Sequence, residues 1–185
     1  MRLRGPTATL LLIVIGLALA TSSSLSLPLG FGVAEFWLGI VVVVGGSLWF
    51  GGWGVIAAAL FPFFSSLLIG LDLPHSLAVI PANLLEGLIP ALAFRLTAAD
   101  PSLHDKASVK IYGIWAVVIP SMVGAFLTAG IWTMLGDVEW RTFALLGFDW
   151  AVSNSLVLIV IGFPTLYFLT PILRERSLTI TGWWR

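Results

Sequence analysis

Charge is almost absent from six long runs of this sequence, and that constrains the fold more than any other feature. Apolar stretches can be read at about residues 7–22, 33–50, 54–71, 76–95, 109–134 and 146–172. A helix that crosses a bilayer needs roughly 20 mainly apolar residues, each adding about 1.5 Å of rise. Lipid offers no partner to backbone N–H and C=O groups, so each run is expected to be a helix. Six such helices take up most of the 185 residues and leave no room for a soluble catalytic domain. A mean hydropathy of +1.06 with only 10% charged residues fits that reading, since a soluble domain of this size carries far more charge. The expected fold class is all-α: a polytopic integral membrane protein with six transmembrane helices in a single transmembrane domain spanning residues 1–185.

The placement of the nine Lys and Arg residues orients this arrangement. With the N-terminus inside, the inner segments carry Arg2, Arg4, Arg95, Lys106, Lys110, Arg174, Arg176 and Arg185, and the outer segments carry only Arg141. Cytoplasmic loops hold an excess of Lys and Arg, so both termini are expected in the cytoplasm. The expected location is the cell inner (plasma) membrane, as a multi-pass protein. Arg2 and Arg4 ahead of an apolar run ending Ala18-Leu19-Ala20-Thr21 also have the form of a secretory signal. The run is taken here as helix 1; if it were cleaved, five spans would remain and the C-terminus would still be inside.

Several function classes fall away. A net charge of zero gives no electrostatic footprint for nucleic acid. The absence of Cys removes disulfides and thiolate chemistry. His75 and His104 fall in different expected loops on opposite sides, so no metal and no cofactor is expected. The sequence contains no G-x-x-x-x-G-K-[ST], no H-E-x-x-H and no G-x-S-x-G. No catalytic residue is assigned, and the chain is not expected to be an enzyme.

The residues that point to a site are polar ones at membrane depth. Glu86 lies near the middle of helix 4, about nine residues before Arg95. A carboxylate there costs several kcal/mol unless paired, protonated or hydrated. Asn83 stands three positions earlier, on the same helix face. The pair reads either as a ligand pocket or as a hydrogen bond tying helix 4 to its neighbours. Asp149, Ser153 and Asn154 form a second group near the outer end of helix 6, where Asp149 either lines a pocket or starts the helix. Trp150 either stacks on a ligand or joins an outer aromatic belt. Glu35 and Trp37 lie at the mouth of such a pocket. Outer acids Glu35, Asp72, Asp137, Glu139 and Asp149 face only Arg141, which favours cationic groups or simply reflects the exclusion of Lys and Arg from that side. Gly16 and Ala20, and likewise Gly124 and Ala125, are small residues that let helices approach closely. Trp49, Phe50 and Trp53 sit where an inner aromatic belt belongs, around the glycines that reverse helix 2 into helix 3.

The stretch Gly46-Ser47-Leu48-Trp49-Phe50-Gly51-Gly52-Trp53-Gly54-Val55-Ile56-Ala57-Ala58-Ala59-Leu60 resembles the second-to-third helix junction of the substrate-binding S components of energy-coupling-factor importers. That resemblance implies six helices with both termini inside and a ligand held near the outer face beneath the helix 1–2 loop. It also implies a separate transmembrane coupling subunit and ATPases as partners. Gly16-x-x-x-Ala20 is similar to the family's Ala-x-x-x-Ala contact motif on helix 1. A second resemblance is to the integral membrane sensor domains of histidine kinases and diguanylate cyclases. It rests on Asn83-Leu84-Leu85-Glu86 in a helix ending at Arg95, on Phe148-Asp149-Trp150, and on Phe163-Pro164.

The expected function is small-molecule capture from the outer face, as an S-component-like importer subunit. Asn83, Glu86, Asp149 and Asn154 would line the pocket, with Glu35 and Trp37 at its mouth. Expected partners are membrane lipid, a small-molecule ligand, and a coupling subunit with ATPases, with no nucleic acid. The alternatives are a ligand-sensing module that signals through the tail from Arg174 to Arg185, and a structural subunit packing through Gly16/Ala20 and Gly124/Ala125.

Overall fold

The computed structural model describes residues 5–24, 36–180 and 183–184. These form six helices: α1 (Gly5–Ser24), α2 (Gly39–Phe50), α3 (Gly52–Leu68), α4 (Leu73–Thr97), α5 (Lys106–Leu135) and α6 (Phe143–Glu175). No strand occurs among the described residues. Helices α1, α4, α5 and α6 are long and apolar enough to cross a membrane. With 12 and 17 residues, α2 and α3 are shorter. At about 1.5 Å per residue α2 covers less than the ~30 Å of a hydrocarbon core.

The short helix lies at the centre. Ten of its twelve residues are buried, and it contacts α1, α3, α4 and α6. That is why its run Val41-Val42-Val43-Val44 is apolar on every side. By contrast α1 has a buried stripe at Ala8, Leu12, Gly16 and Ala20 and leaves Leu10, Leu11, Val14 and Ile15 exposed. A four-residue repeat of this kind places one helix face on the bundle and the other outward. The small residues within it are used internally: a Cβ on Gly16 would lie 2.7 Å from the Phe61 ring. Ala125 is buried as well. Both pairs, Gly16/Ala20 and Gly124/Ala125, pack against neighbouring helices of the same chain.

Helix ends follow local chemistry. One residue, Gly51, joins α2 to α3 with φ +58° and ψ −131°, a conformation open to glycine and strained for other residues. The expected start of helix 2 at residue 33 is not matched in the residues that can be described. Phe36, Trp37 and Leu38 precede the helix, and 25–35 lie outside the described residues. Helix α3 stops at Leu68 rather than 71, because Gly70 turns the chain at φ +93°. Asp72 caps α4 by accepting the His75 N–H at 3.1 Å, and Asp105 caps α5 by accepting the Ser108 N–H at 2.9 Å.

Two of the long helices contain a π-helical turn, at Gly113–Val118 in α5 and Leu158–Gly162 in α6. Each lies just before a proline, Pro120 or Pro164, which cannot donate to the carbonyl four residues back. The Tyr112 hydroxyl donates to the Leu158 carbonyl at 2.7 Å and joins the two irregular turns. Trp49 and Phe50 are buried rather than placed in a belt, and Trp49 Nε1 donates to Thr170 Oγ1 at 2.9 Å.

The hairpin order sorts charge to the two ends. Arg95, Lys106, Lys110, Arg174 and Arg176 gather with the α2–α3 reversal, the α4–α5 connection and the end of α6. Asp72, Asp137, Glu139 and Asp149 gather with the α3–α4 and α5–α6 turns, where Arg141 is the sole Lys or Arg among the described residues.

Candidate functional site

A cavity of about 350 Å³ runs from Glu86 to the α3–α4 turn at the acidic end. Four helices build it, and each contributes residues at the three- and four-residue spacing of a single face. Helix α3 supplies Pro62, Ser65, Ser66 and Ile69; α4 supplies Val79, Asn83 and Glu86. From α5 come Gly124, Thr128 and Trp132, and from α6 Leu146, Trp150 and Asn154. Trp37, just before α2, and Leu71 complete the wall.

The deep end is polar and buried. Glu86, Asn83 and Asn154 are 3%, 7% and 1% exposed. Asn154 Nδ2 donates to Glu86 Oε1 at 3.1 Å, and Asn83 Nδ2 donates to the Val79 carbonyl at 2.9 Å. Those two donors set the direction of each amide, so the oxygens Oδ1 point elsewhere. Neither Oδ1 has a hydrogen-bond partner among the described residues, and neither has the buried Trp132 Nε1. Such groups cost about 1–3 kcal/mol each when left unpaired. Among the described residues no Lys, Arg or His lines the cavity beside Glu86. Gly124 makes room for it: a Cβ there would overlap the Glu86 carboxylate.

The mouth is aromatic and tied by charge. Trp132 and Trp150 pack with ring centroids 5.4 Å apart, and Trp37 stacks on Phe61 at 6.0 Å. His75 hydrogen-bonds Asp72 through one ring nitrogen and Asp137 through the other, linking the start of α4 to the α5–α6 turn. Its ring sits 6.0 Å from Trp132. The His75 side chain, then its backbone N–H, holds the Asp72 carboxyl below the usual carboxylate range.

Of the six residues expected at a site, Asn83, Glu86, Asn154 and Trp37 come together on this cavity. Asp149 does not line it. It is half-buried on the second turn of α6, whose N-terminal flank is Thr142, so it neither faces the pocket nor starts the helix. Glu35 lies outside the described residues. Trp132, Thr128, Ser65 and Ser66 were not anticipated. Their signal was present in the spacing Gly124–Thr128–Trp132 and Pro62–Ser65–Ser66–Ile69, each a small or polar face on an apolar helix.

A second cavity of about 280 Å³ opens at the basic end, lined by Arg95, Arg174, Thr170, Trp183 and neighbours. Its charges are engaged: Arg174 pairs with Asp100 at 2.8 Å, and Arg95 sits 5.8 Å from the Trp183 ring centroid. Among the described residues no cluster of His, Asp and Glu could hold a metal ion. Comparison of the chain with protein-family models, with curated proteins and with solved structures finds no match.

Proposed function

We propose that this chain is a membrane-embedded binding protein that captures a small molecule in the cavity between α3, α4, α5 and α6. One observation carries the proposal. Three buried polar side chains, Asn83, Glu86 and Asn154, converge on a 350 Å³ space with hydrogen-bonding capacity unused. Pockets for small ligands are mostly apolar with a few convergent polar groups and begin at about 300 Å³.

On this reading the protein is a non-enzymatic, S-component-like importer subunit with six crossings, in the cell inner membrane. The basic end faces the cytoplasm, as the positive-inside rule asks, and the cavity receives its ligand from the other side. Transport energy then comes from a coupling subunit and ATPases. Exposed apolar side chains such as Leu10, Val14, Leu68, Val160 and Phe168 suit contact with lipid. The test is native mass spectrometry of the protein released from membranes in mild detergent. A bound small molecule, lost in Asn154→Leu, together with ATPase subunits is the expected result. An empty protein in wild type and variant alike overturns the capture reading.

A sensor reading draws on one observation. The C-terminal tail is bonded to the α2–α3 reversal, with Ile180 N–H donating to the Trp49 carbonyl and Gly52 N–H to the Trp183 carbonyl, both at 2.9 Å. Co-purification with a kinase or cyclase in place of ATPases would select it.

A further inference from the structure

Beside the cavity mouth stands a group whose bonding fixes its protonation. His75, on the first turn of α4, bonds the Asp72 carboxylate through one ring nitrogen and the Asp137 carboxylate through the other. The Asp72 and Asp137 side chains are 61% and 53% exposed, so solvent keeps both ionised near neutral pH. An ionised carboxylate only accepts hydrogen bonds, so each ring nitrogen has to donate. A neutral imidazole has one N–H and the imidazolium has two. The arrangement therefore calls for the protonated ring, with its positive charge between two negative ones.

These bonds join segments that adjoin the cavity wall on two sides. Asp72 follows Leu71, a wall residue. The Asp137 N–H donates to the carbonyl of Trp132, a wall residue of α5, at 3.1 Å. The His75 ring itself stands 6.0 Å from the Trp132 ring. Among the described residues no other hydrogen bond or ion pair joins the α3–α4 connection and the start of α4 to the α5–α6 turn.

Loss of one proton undoes this link. The neutral ring donates to one carboxylate alone, and its other nitrogen turns a lone pair towards the second. Asp72 and Asp137 then repel with no positive charge between them. No neighbouring group takes over. Glu139 and Arg141, on the same turn as Asp137, pair with each other in solvent. Asp149 on α6 is itself acidic, α2 and α3 carry no titratable residue, and the lysines of α5 lie at the basic end. The next titratable residue on α4 is Glu86, about three turns deeper.

We infer that His75 is a proton-operated clasp beside the cavity mouth: as the imidazolium it holds the start of α4 to the α5–α6 turn, and as the neutral imidazole it lets them part. Access to the cavity therefore rises with pH. The inference uses the geometry of the cavity and not its occupant, so its failure leaves the capture reading standing.

The test reads access directly. The chain contains no Cys, so Thr128→Cys places a single thiol in the cavity wall. Its rate of labelling by the small reagent dithiodipyridine is measured in the full chain in detergent, with and without His75→Leu, at pH 6 and at pH 9. The ratio of the two rates at one pH cancels the intrinsic reactivity of the thiol. His75→Leu is expected to speed labelling at least about fivefold at pH 6, where two charge-assisted bonds are lost, and less than about twofold at pH 9. A ratio near one at both pH values overturns the clasp, and an equal acceleration at both overturns its operation by a proton. A second measurement leaves His75 intact, so it stands even where His75→Leu fails to fold. In His104→Gln, His75 is the one remaining His of the chain's two. Nuclear magnetic resonance of isotope-labelled histidine is expected to show two hydrogen-bonded ring N–H groups at pH 6 and fewer at pH 9. A single ring N–H at pH 6, or two at both pH values, overturns the inference.

Discussion

The two ends of the bundle each hold a cavity lined by polar groups, and they treat those groups in opposite ways. At the basic end Arg174 is paired with Asp100, the Trp49 N–H with Thr170, Thr170 Oγ1–H with the Pro101 carbonyl, and the tail backbone with the α2–α3 reversal. At the acidic end Asn83, Asn154 and Trp132 keep a buried polar atom without a partner among the described residues. Buried hydrogen-bonding groups are nearly always satisfied in folded proteins. The basic end satisfies such groups within the chain, and the acidic end leaves several facing a single space, which supports the capture reading proposed above. Polarity and volume alone would not have separated the two cavities.

This contrast can be broken by substitution. At the acidic end Gly124→Val is expected to have the largest effect. Its side chain enters the space of the Glu86 carboxylate, and overpacking of this kind costs about 1–3 kcal/mol. Both bound ligand and thermal stability in detergent should fall; retained ligand would show that Glu86 does not shape the cavity. At the basic end Gly51→Ala is expected to lower stability by roughly 1–3 kcal/mol through backbone strain and to leave ligand affinity in the surviving protein unchanged. A loss of affinity there would mean that the two ends are coupled through α2 and α3.

Smaller effects sharpen the comparison. Tyr112→Phe removes the hydroxyl that donates to the Leu158 carbonyl and should cost about 1 kcal/mol without altering binding. Unfolding followed by fluorescence-detected size exclusion reads this directly. The smallest effect is pH-dependent. Burial pushes the Asp100 carboxyl upward, but Arg174 and the Ser102 N–H outweigh it and hold the group below its ordinary value. A group depressed in the folded state contributes stability that is present above its unfolded pKa, about 3.9 for Asp, and fades as pH falls through the lower folded value. Melting temperatures of wild type and Asp100→Asn should differ at pH 6 and converge towards pH 3. A constant gap across that range would remove the Arg174–Asp100 pair from the account.

Much of the architecture was legible in the residues. Uninterrupted apolar runs require helices wherever backbone groups lack water, so the six helices fall within a few residues of their expected places at most boundaries. The departures have local causes: Gly70 ends α3 early, and Phe36, Trp37 and Leu38 lie ahead of α2. Glu86 and Asn83 were legible as a pair because three residues on a helix return to one face. Asp149 had two readings, pocket wall or helix start, and the structure places it on the second turn of a helix that begins at Phe143 and outside this cavity's lining.

The sequence by itself determined the helices, the segregation of charge to alternate connections, and the unusual depth of Glu86, because each depends on spacing along one chain. Tertiary structure alone decided that α2 is the buried centre and that Gly16 and Ala20 pack inward. It also decided that the faces Pro62–Ile69, Asn83–Glu86, Gly124–Trp132 and Leu146–Asn154 meet around one space. Helical spacing says which residues share a face, but not which faces turn towards each other. That choice is made by close packing, where a missing Cβ at Gly124 admits a carboxylate from another helix.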